Sequence, residues 1–198
     1  MLKIGITGKI GSGKTTICRI FESIGVPVYY SDIEAKKFYN DSNVVKKVCA
    51  LFGNEILDID KNIDKKALAS IVFNDNDKLL ELNKIIHPLV IQDFENWCKN
   101  KTHCPYILFE SAIIYESNLA HLFSKIIYID CPEEIAVKRV MKRDNITHLS
   151  VLERMSKQGT TIPPYDFRII SNEKKLEIPQ VLEIHNQILQ LSNLDVGM

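Results

Sequence analysis

The chain has 198 residues, 45% of them hydrophobic, which is enough to bury one substantial core and to carry a small inserted lobe besides. Its 25 basic and 25 acidic residues cancel, which excludes a protein that coats nucleic acid or an anionic membrane through its overall charge. The five widely spaced cysteines form no zinc-binding pattern, so we expect reduced thiols in a cytoplasmic protein. No segment has the apolar length of a signal peptide or a membrane span, and we expect neither membrane nor nucleic acid as a partner.

The first elements in chain order are a short apolar strand, a glycine-rich loop and a helix. Leu2 to Thr7 is the apolar run, and an amphipathic helix is predicted from Lys14 to Ser23. Residues 8–15 between them read GKIGSGKT, which fits G-x-x-x-x-G-K-[ST] at every fixed position. Glycines let successive N–H groups point towards phosphate oxygens, Lys14 adds a positive charge, and the Thr15 hydroxyl is placed to ligate Mg²⁺. The pattern in this context predicts nucleotide binding.

A second short strand, predicted over residues 27–30, leads directly into a helix. Ser31 and Glu34 have the spacing of a capping box, which predicts a helix through Tyr39. Asp32 therefore lies where a strand passes into a helix. Because the carboxyl ends of parallel strands share one crevice, we expect its carboxylate to face the γ-phosphate and to act on an acceptor hydroxyl. The alternative is that Asp32 only stabilises the amino terminus of the helix.

The stretch from about residue 41 to residue 104 differs in predicted secondary structure, with charged amphipathic helices and no convincing strand. The predicted helices span residues 44–52, 65–73, 77–86 and 89–99. We expect a break at His87, because the residue before a proline is pushed out of the helical region. Taken alone, His87 is more simply explained as a packed, hydrogen-bonded side chain. The stretch predicts a helical insert.

The remaining chain alternates strands with helices. Strands are predicted at residues 106–110, 125–130 and 167–170, and helices at residues 133–143, 150–159 and 179–191. The helix from Ser150 is expected to be capped by Ser150 and Glu153. This alternation predicts an α/β fold with a doubly wound parallel sheet.

Two arginines, Arg139 and Arg143, lie four residues apart on one predicted helix face. They could neutralise charge on a moving phosphoryl group, or they could belong to an ordinary solvated face. The sequence also lacks the DxxG and NKxD patterns of a GTPase switch, and it is short for a motor ATPase. A small-molecule kinase is therefore the favoured class.

Several short motifs together resemble the dephospho-CoA kinase family. They are TGKIGSGKTT at residues 7–16, SDIEAK at 31–36, FG at 52–53, VF at 72–73, IHP at 86–88, ESAIIYE at 110–116, the RxxxRD pattern at 139–144, and Arg154 with Gln158. The resemblance spans nearly the whole chain, and the set is far more specific than the phosphate-binding loop alone.

The resemblance implies that ATP, with Mg²⁺, phosphorylates the ribose 3′-hydroxyl of dephospho-CoA. It implies that ATP is held by Gly11, Ser12, Gly13, Lys14, Thr15 and Thr16. It assigns catalysis to Asp32 as base, with Lys14 and Arg139 on the phosphates. It places Asp32, Lys36, His87, Glu110, Glu116 and Arg143 on the acceptor. The implied domains are a nucleotide-binding core (1–31, 105–140 and 165–198), a helical CoA-binding domain (32–104) and a small helical lid (141–164).

Two other functions remain open on the sequence. A nucleoside or nucleoside-monophosphate kinase would share the loop, the aspartate after the second strand and the lid arginines. A nucleotide-dependent binding module without metabolite turnover is the alternative from another class. For the kinase we expect a monomer or a weak homo-oligomer.

Overall fold

The computed structural model describes residues 1–73, 75–159 and 161–195. The chain forms two units, one of Met1–Tyr30 with Lys101–Met198 and the other of Ser31–Asn100. We call the first the sheet unit and the second the helical unit. Within the described ranges, every helix is too short or too polar to cross a membrane.

Five parallel strands make up the sheet of the sheet unit. They are β1 (Leu2–Thr7), β2 (Val28–Tyr30), β3 (Tyr106–Glu110), β4 (Lys125–Asp130) and β5 (Phe167–Ile170). Their order in space is β2-β3-β1-β4-β5, with every neighbouring pair parallel. The doubly wound parallel α/β fold predicted from the sequence is confirmed. The carboxyl ends of all five strands consequently lie at one edge of the sheet.

Eight α-helices accompany the strands in the described ranges. They are α1 (Lys14–Ser23), α2 (Ser31–Phe38), α3 (Ser42–Phe52), α4 (Lys65–Phe73), α5 (Asn76–Lys99), α6 (Glu133–Asp144), α7 (His148–Ser156) and α8 (Glu177–Asp195). Single turns of 3₁₀ helix lie at Asn54–Ile56 and Ala120–Leu122. Helices α2 to α5 belong to the helical unit, and the others belong to the sheet unit.

The main core of the sheet unit lies between one face of the sheet and helices α1 and α8. Ile4 and Ile6 of β1 are fully buried there, against Phe21 of α1 and Ile188 of α8. The other face is covered as well, because a Cβ added at Gly5 would lie 3.0 Å from the Ile114 side chain and 3.1 Å from that of Phe123. Burial on both faces explains why the strands read as continuous apolar runs rather than alternating ones.

Helix α5 of the helical unit continues through Pro88, so the break predicted at His87 is wrong. Its 24 residues run without interruption from Asn76 to Lys99. One face buries Leu82, Ile86, Val90, Phe94 and Cys98, at intervals of four residues, and α5 packs on α2, α3 and α4. Pro88 lies on the exposed side. Packing of the opposite face therefore outweighs the local preference of the residue before a proline.

The start of α7 also differs from the sequence-based expectation. The helix begins at His148, and the side chain of Thr147 accepts a hydrogen bond from the backbone N–H of Ser150. Ser150 is thus inside the helix rather than its cap. The helix ends at Ser156 instead of Gly159. Both Thr147 and Ser150 are residues that cap helices well, so sequence alone does not choose between them.

Candidate active site

The glycine-rich segment between β1 and α1 forms a tight loop whose glycines are required by contacts. Gly13 precedes α1 in the left-handed conformation, with φ of 95°. At Gly11, φ is 78°, and an added Cβ would lie 2.4 Å from the carbonyl oxygen of Ala136. The positive φ favours glycine at both positions, and at Gly11 the carbonyl oxygen of Ala136 also leaves no room for a side chain. The loop leads into the amino terminus of α1, where the backbone N–H groups of a first helical turn and the helix dipole favour an anion.

Two polar side chains of this loop are buried. The Lys14 ammonium donates hydrogen bonds to the carbonyl oxygens of Gly8 (2.8 Å) and Lys9 (3.2 Å). The Ser12 hydroxyl is buried and has no hydrogen-bond partner among the residues that the structure describes. A buried polar atom without a partner is costly, and a bound polar ligand would remove that cost. The loop thus combines a positive charge with unused hydrogen-bonding capacity.

Arg139 of α6 lies against the second half of the loop. Its Nη1 donates to the Ser171 hydroxyl at 2.9 Å and approaches the Ser12 carbonyl oxygen at 3.4 Å. The same nitrogen is 3.3 Å from the place that a Cβ would take on Gly13. Ser171 in turn donates to a carboxylate oxygen of Glu177. The guanidinium is therefore held at the amino end of α1.

Sequence reasoning missed Ser171. It directly follows β5, at the sheet edge where the other strands also end. Because ligands bind beyond the carboxyl ends of parallel strands, this position could have predicted Ser171 as a site residue. The residue is buried, with 2% of its surface exposed, so its hydroxyl serves Arg139 and Glu177 rather than solvent.

Beside the first half of the loop lies a cavity of about 170 Å³. Its lining residues are Thr7, Gly8, Lys9, Ala112, Tyr115, Glu116, Tyr128, Gln158, Gly159, Thr161 and Pro163. Of these, Glu116 was predicted as an acceptor-binding residue, and one of its carboxylate oxygens accepts a bond from the Gly159 N–H at 3.3 Å. Tyr115, which precedes Glu116, and Tyr128 of β4 were not predicted as site residues.

The second predicted lid arginine has a different environment from the first. Arg143 donates to both carboxylate oxygens of Asp144, at 2.7 and 3.0 Å, and Arg154 donates to one of them at 2.9 Å. The hydrogen bond from Arg143 holds the pKa of Asp144 below its usual value. Among the described residues, Arg139 bonds to Ser171 and Arg143 to Asp144, although the two arginines lie one turn apart on α6.

Glu110 ends β3 and is buried, with 6% of its surface exposed. It pairs in register with Ile6 of β1 and with Tyr30 of β2. Its backbone therefore lies at the carboxyl edge of the sheet. It is level with Ile6, the residue before the last one of β1.

Three predicted site residues belong to the helical unit. Asp32 and Lys36 are exposed and lie four residues apart in α2, on one face of that helix, and α2 follows β2 without a linker. His87 is half-buried in α5, which packs on α2. Burial lowers the pKa of His87. The imidazole therefore stays neutral down to a lower pH than a solvated histidine does.

A magnesium ion would find one protein ligand in the loop. Thr15 presents an exposed hydroxyl in the first turn of α1. Over the described parts of the chain, no group of three or more His, Cys, Asp or Glu side chains is arranged to hold a metal. Mg²⁺ in nucleotide sites is bound mainly by phosphates and water with one or two protein groups, so this donor set fits it.

The strand order, the phosphate-binding loop between β1 and α1, and the arginine at the amino end of that helix define a P-loop kinase. The family model "Dephospho-CoA kinase" matches residues 2–163. A curated dephospho-CoA kinase of Bacteroides fragilis (strain YCH46) is 37% identical over 92% of this chain and 91% of its own length. One from Porphyromonas gingivalis is 34% identical over 93% of both chains. The chain belongs to the dephospho-CoA kinase family.

Solved structures agree with the fold. The crystal structure of TT1252 from Thermus thermophilus superposes with a TM-score of 0.80 at 25% identity and covers 96% of both chains. The dephospho-CoA kinase from Campylobacter jejuni superposes with a TM-score of 0.62 at 23% identity, covering 95% of this chain and 97% of its own. The family resemblance inferred from the motifs is confirmed by the family model and the curated relatives.

Proposed function

We propose that this protein is an ATP-dependent kinase that phosphorylates the ribose 3′-hydroxyl of dephospho-CoA and releases CoA and ADP. Membership of the dephospho-CoA kinase family over residues 2–163 is the observation that carries the proposal. The loop chemistry supports it independently of the family, since Lys14 and the Ser12 hydroxyl, which has no partner in the described parts of the chain, are suited to a phosphate chain.

Phosphoryl transfer is catalysed mainly by positioning and by neutralising charge on the γ-phosphoryl group. Lys14 and Arg139 supply positive charge at the two ends of the loop, and the amides of Gly11 to Thr16 supply hydrogen bonds to phosphate oxygens. Thr15 would hold Mg²⁺ through its hydroxyl. The ion, when bound, neutralises charge that the β- and γ-phosphates share.

For the acceptor, we propose Asp32 as the general base that receives the proton of the 3′-hydroxyl. Its position at the start of a helix that directly follows a parallel strand supports this role. The family motifs support acceptor contacts from Lys36, His87, Glu110, Glu116 and Arg143. We further propose that residues 32–104 bind the CoA moiety and that residues 141–164 act as a lid. All five cysteines are free thiols, which suits the reducing cytoplasm where we propose that the enzyme works.

A panel of acceptors tests the reaction directly. ADP release is coupled to NADH oxidation with ATP, Mg²⁺ and one acceptor at a time: dephospho-CoA, AMP, CMP or adenosine. We expect turnover with dephospho-CoA alone, and mass spectrometry with ³¹P NMR should place the new phosphate on the 3′-oxygen. Turnover confined to AMP or CMP would identify a nucleoside-monophosphate kinase instead. ATP binding without phosphorylation of any acceptor would favour a binding module.

A further inference from the structure

The first half of the phosphate-binding loop is a β-turn over residues 9–12. The N–H of Ser12 donates to the carbonyl oxygen of Lys9 at 3.1 Å. Gly11 occupies the third position of this turn with φ of 78°, close to the value of about +80° that defines a type II turn. A type I turn between the same ends would rotate the central peptide, which carries the Gly11 N–H. The turn type therefore decides where the first amide of the Gly11–Thr16 series points.

Gln158 contacts this turn from a distant part of the chain. Its side-chain oxygen accepts a hydrogen bond from the N–H of Ile10, the second residue of the turn, at 2.8 Å. Its side-chain nitrogen donates to the carbonyl oxygen of Ala112 at 3.3 Å. The amide is thus fixed at both ends, and it ties the turn to the segment that follows β3.

The Ile10 side chain is held by the same region of the fold. It packs against a cluster of α6 and α7 that consists of Ala136, Val137, Val140, Val151 and Met155. Gln158 lies two residues beyond the end of α7. Both the side chain and the N–H of Ile10 are therefore held by α7 and the residues that follow it. A movement of α7 or of Gln158 would therefore change the conformation of the turn.

We propose that Gln158 is a positioning residue, which fixes the turn at residues 9–12 and thereby sets the affinity of the loop for the phosphates of the nucleotide. It acts through the backbone of Ile10, from whose N–H its side-chain oxygen accepts a hydrogen bond. This inference deepens the proposed function, because it concerns the nucleotide site of the same enzyme. It does not depend on the identity of the acceptor.

Direct nucleotide binding tests the proposal without any acceptor. Gln158→Met keeps the length of the side chain and removes both hydrogen bonds. Titration calorimetry with ADP and Mg²⁺ should show binding weakened by roughly 3- to 10-fold, as expected for the loss of one effective hydrogen bond. The affinity for adenosine, measured by competition, should stay unchanged because adenosine has no phosphate. The matched control Gln187→Met, on the exposed surface of α8, should bind both ligands like the wild type.

A second variant gives a pH profile that a purely structural role would not produce. In Gln158→Glu, a protonated carboxyl can accept from Ile10 and donate to Ala112, whereas an ionised one places negative charge beside the loop. Its affinity for ADP, relative to wild type, should therefore fall as the pH rises from about 5 to about 8. Gln187→Glu should follow the wild type at every pH.

Two outcomes would overturn the proposal. The first is a folded Gln158→Met protein that binds ADP as tightly as wild type, and the second is an equal loss of ADP and adenosine affinity. Circular dichroism at the assay temperature establishes that each variant is folded. A wild-type protein that binds ADP but does not phosphorylate dephospho-CoA would contradict the proposed reaction and would leave this binding test intact.

Discussion

Lys14 illustrates at the residue scale how a short motif prepares a binding site. Its ammonium is buried and is held by the carbonyl oxygens of Gly8 and Lys9, inside the loop that it serves. The burial of a charged group is tolerated because these oxygens replace water. A phosphate chain in the loop would provide a stronger partner for the same charge.

We predict that Lys14→Ala lowers kcat/KM for ATP by about 100-fold or more, the usual effect of removing one preorganised donor to developing charge. Steady-state kinetics with saturating dephospho-CoA would measure the change. Arg19→Ala is the matched control, since Arg19 is an exposed cation of the same helix, and it should remain close to wild type. Wild-type kcat and KM in the Lys14 variant would remove this residue from the mechanism.

The proposed base gives a second prediction at this scale. Asp32→Asn should lower kcat by about 10²- to 10⁴-fold, because the variant can no longer accept the proton of the hydroxyl. Its Kd for ADP should be unchanged. The control is Glu34→Gln, which removes another carboxylate of the same helix, one that pairs with Lys37. If both variants lose only stability and keep kcat, Asp32 supports the helix terminus and is not the base.

At the scale of elements, the cap of α7 separates a sequence-based expectation from the observed structure. The sequence favoured Ser150 as the cap, whereas Thr147 accepts the hydrogen bond from the Ser150 N–H. Thr147→Ala should lower the free energy of unfolding by about 0.5–2 kcal/mol, the usual cost of losing an N-cap. Urea denaturation at neutral pH would measure it.

Two further variants sharpen this test of the helix start. Thr147→Asp keeps an oxygen acceptor at the cap and should retain most of the stability. Ser150→Ala should cost less than Thr147→Ala, because the hydrogen bond that caps α7 uses the backbone of Ser150. A larger loss from Ser150→Ala would restore Ser150 as the cap.

Helix α5 shows how packing overrides a local rule. Pro88 lacks an N–H and restricts His87, and on these grounds two helices were predicted where one exists. The buried positions from Leu82 to Cys98 keep one periodicity through the proline, and this pattern was present in the sequence. Over a helix of this length, the four-residue spacing of apolar residues predicts the helix better than the single proline does.

At the scale of the whole molecule, we expect two histidines to make stability depend on pH. Burial lowers the pKa of His87 in α5 and of His185 in α8, and the Nδ1 of His185 lies 2.7 Å from the Tyr106 hydroxyl. Each imidazole is therefore protonated more readily in the unfolded chain than in the folded one. Above the unfolded pKa of about 6.5 both histidines are neutral in the folded and the unfolded chain, and they do not weaken the fold. As the pH falls below that value, the unfolded chain takes up protons first, and the free energy of unfolding decreases.

We therefore predict that the urea midpoint falls as the pH is lowered from about 7 to about 5. The double variant His87→Asn/His185→Asn should show a shallower dependence over the same range, since the groups that take up protons on unfolding are gone. His103→Asn, at an exposed position, is the control and should keep the wild-type slope. An unchanged slope in the double variant would exclude these two histidines as its source.

Much of the fold was recognisable from patterns within short segments of the sequence. The glycine pattern at residues 8–15 and the apolar runs of the five strands are each visible within a few consecutive residues. Parallel strands separated by helices allow few topologies, which is why a doubly wound parallel sheet was predicted correctly. The family motifs added the expected substrate, and the family itself is confirmed by the match over residues 2–163.

The tertiary structure alone decided which distant groups meet at the loop. Ile10 and Gln158 are 148 residues apart in the chain, and Arg139 reaches Ser171 across 32 residues. No periodicity or capping rule encodes such pairs, because they form only after the sheet and its flanking helices have packed. Local sequence thus specified the phosphate-binding loop, whereas long-range packing selected the side chains that hold it in place.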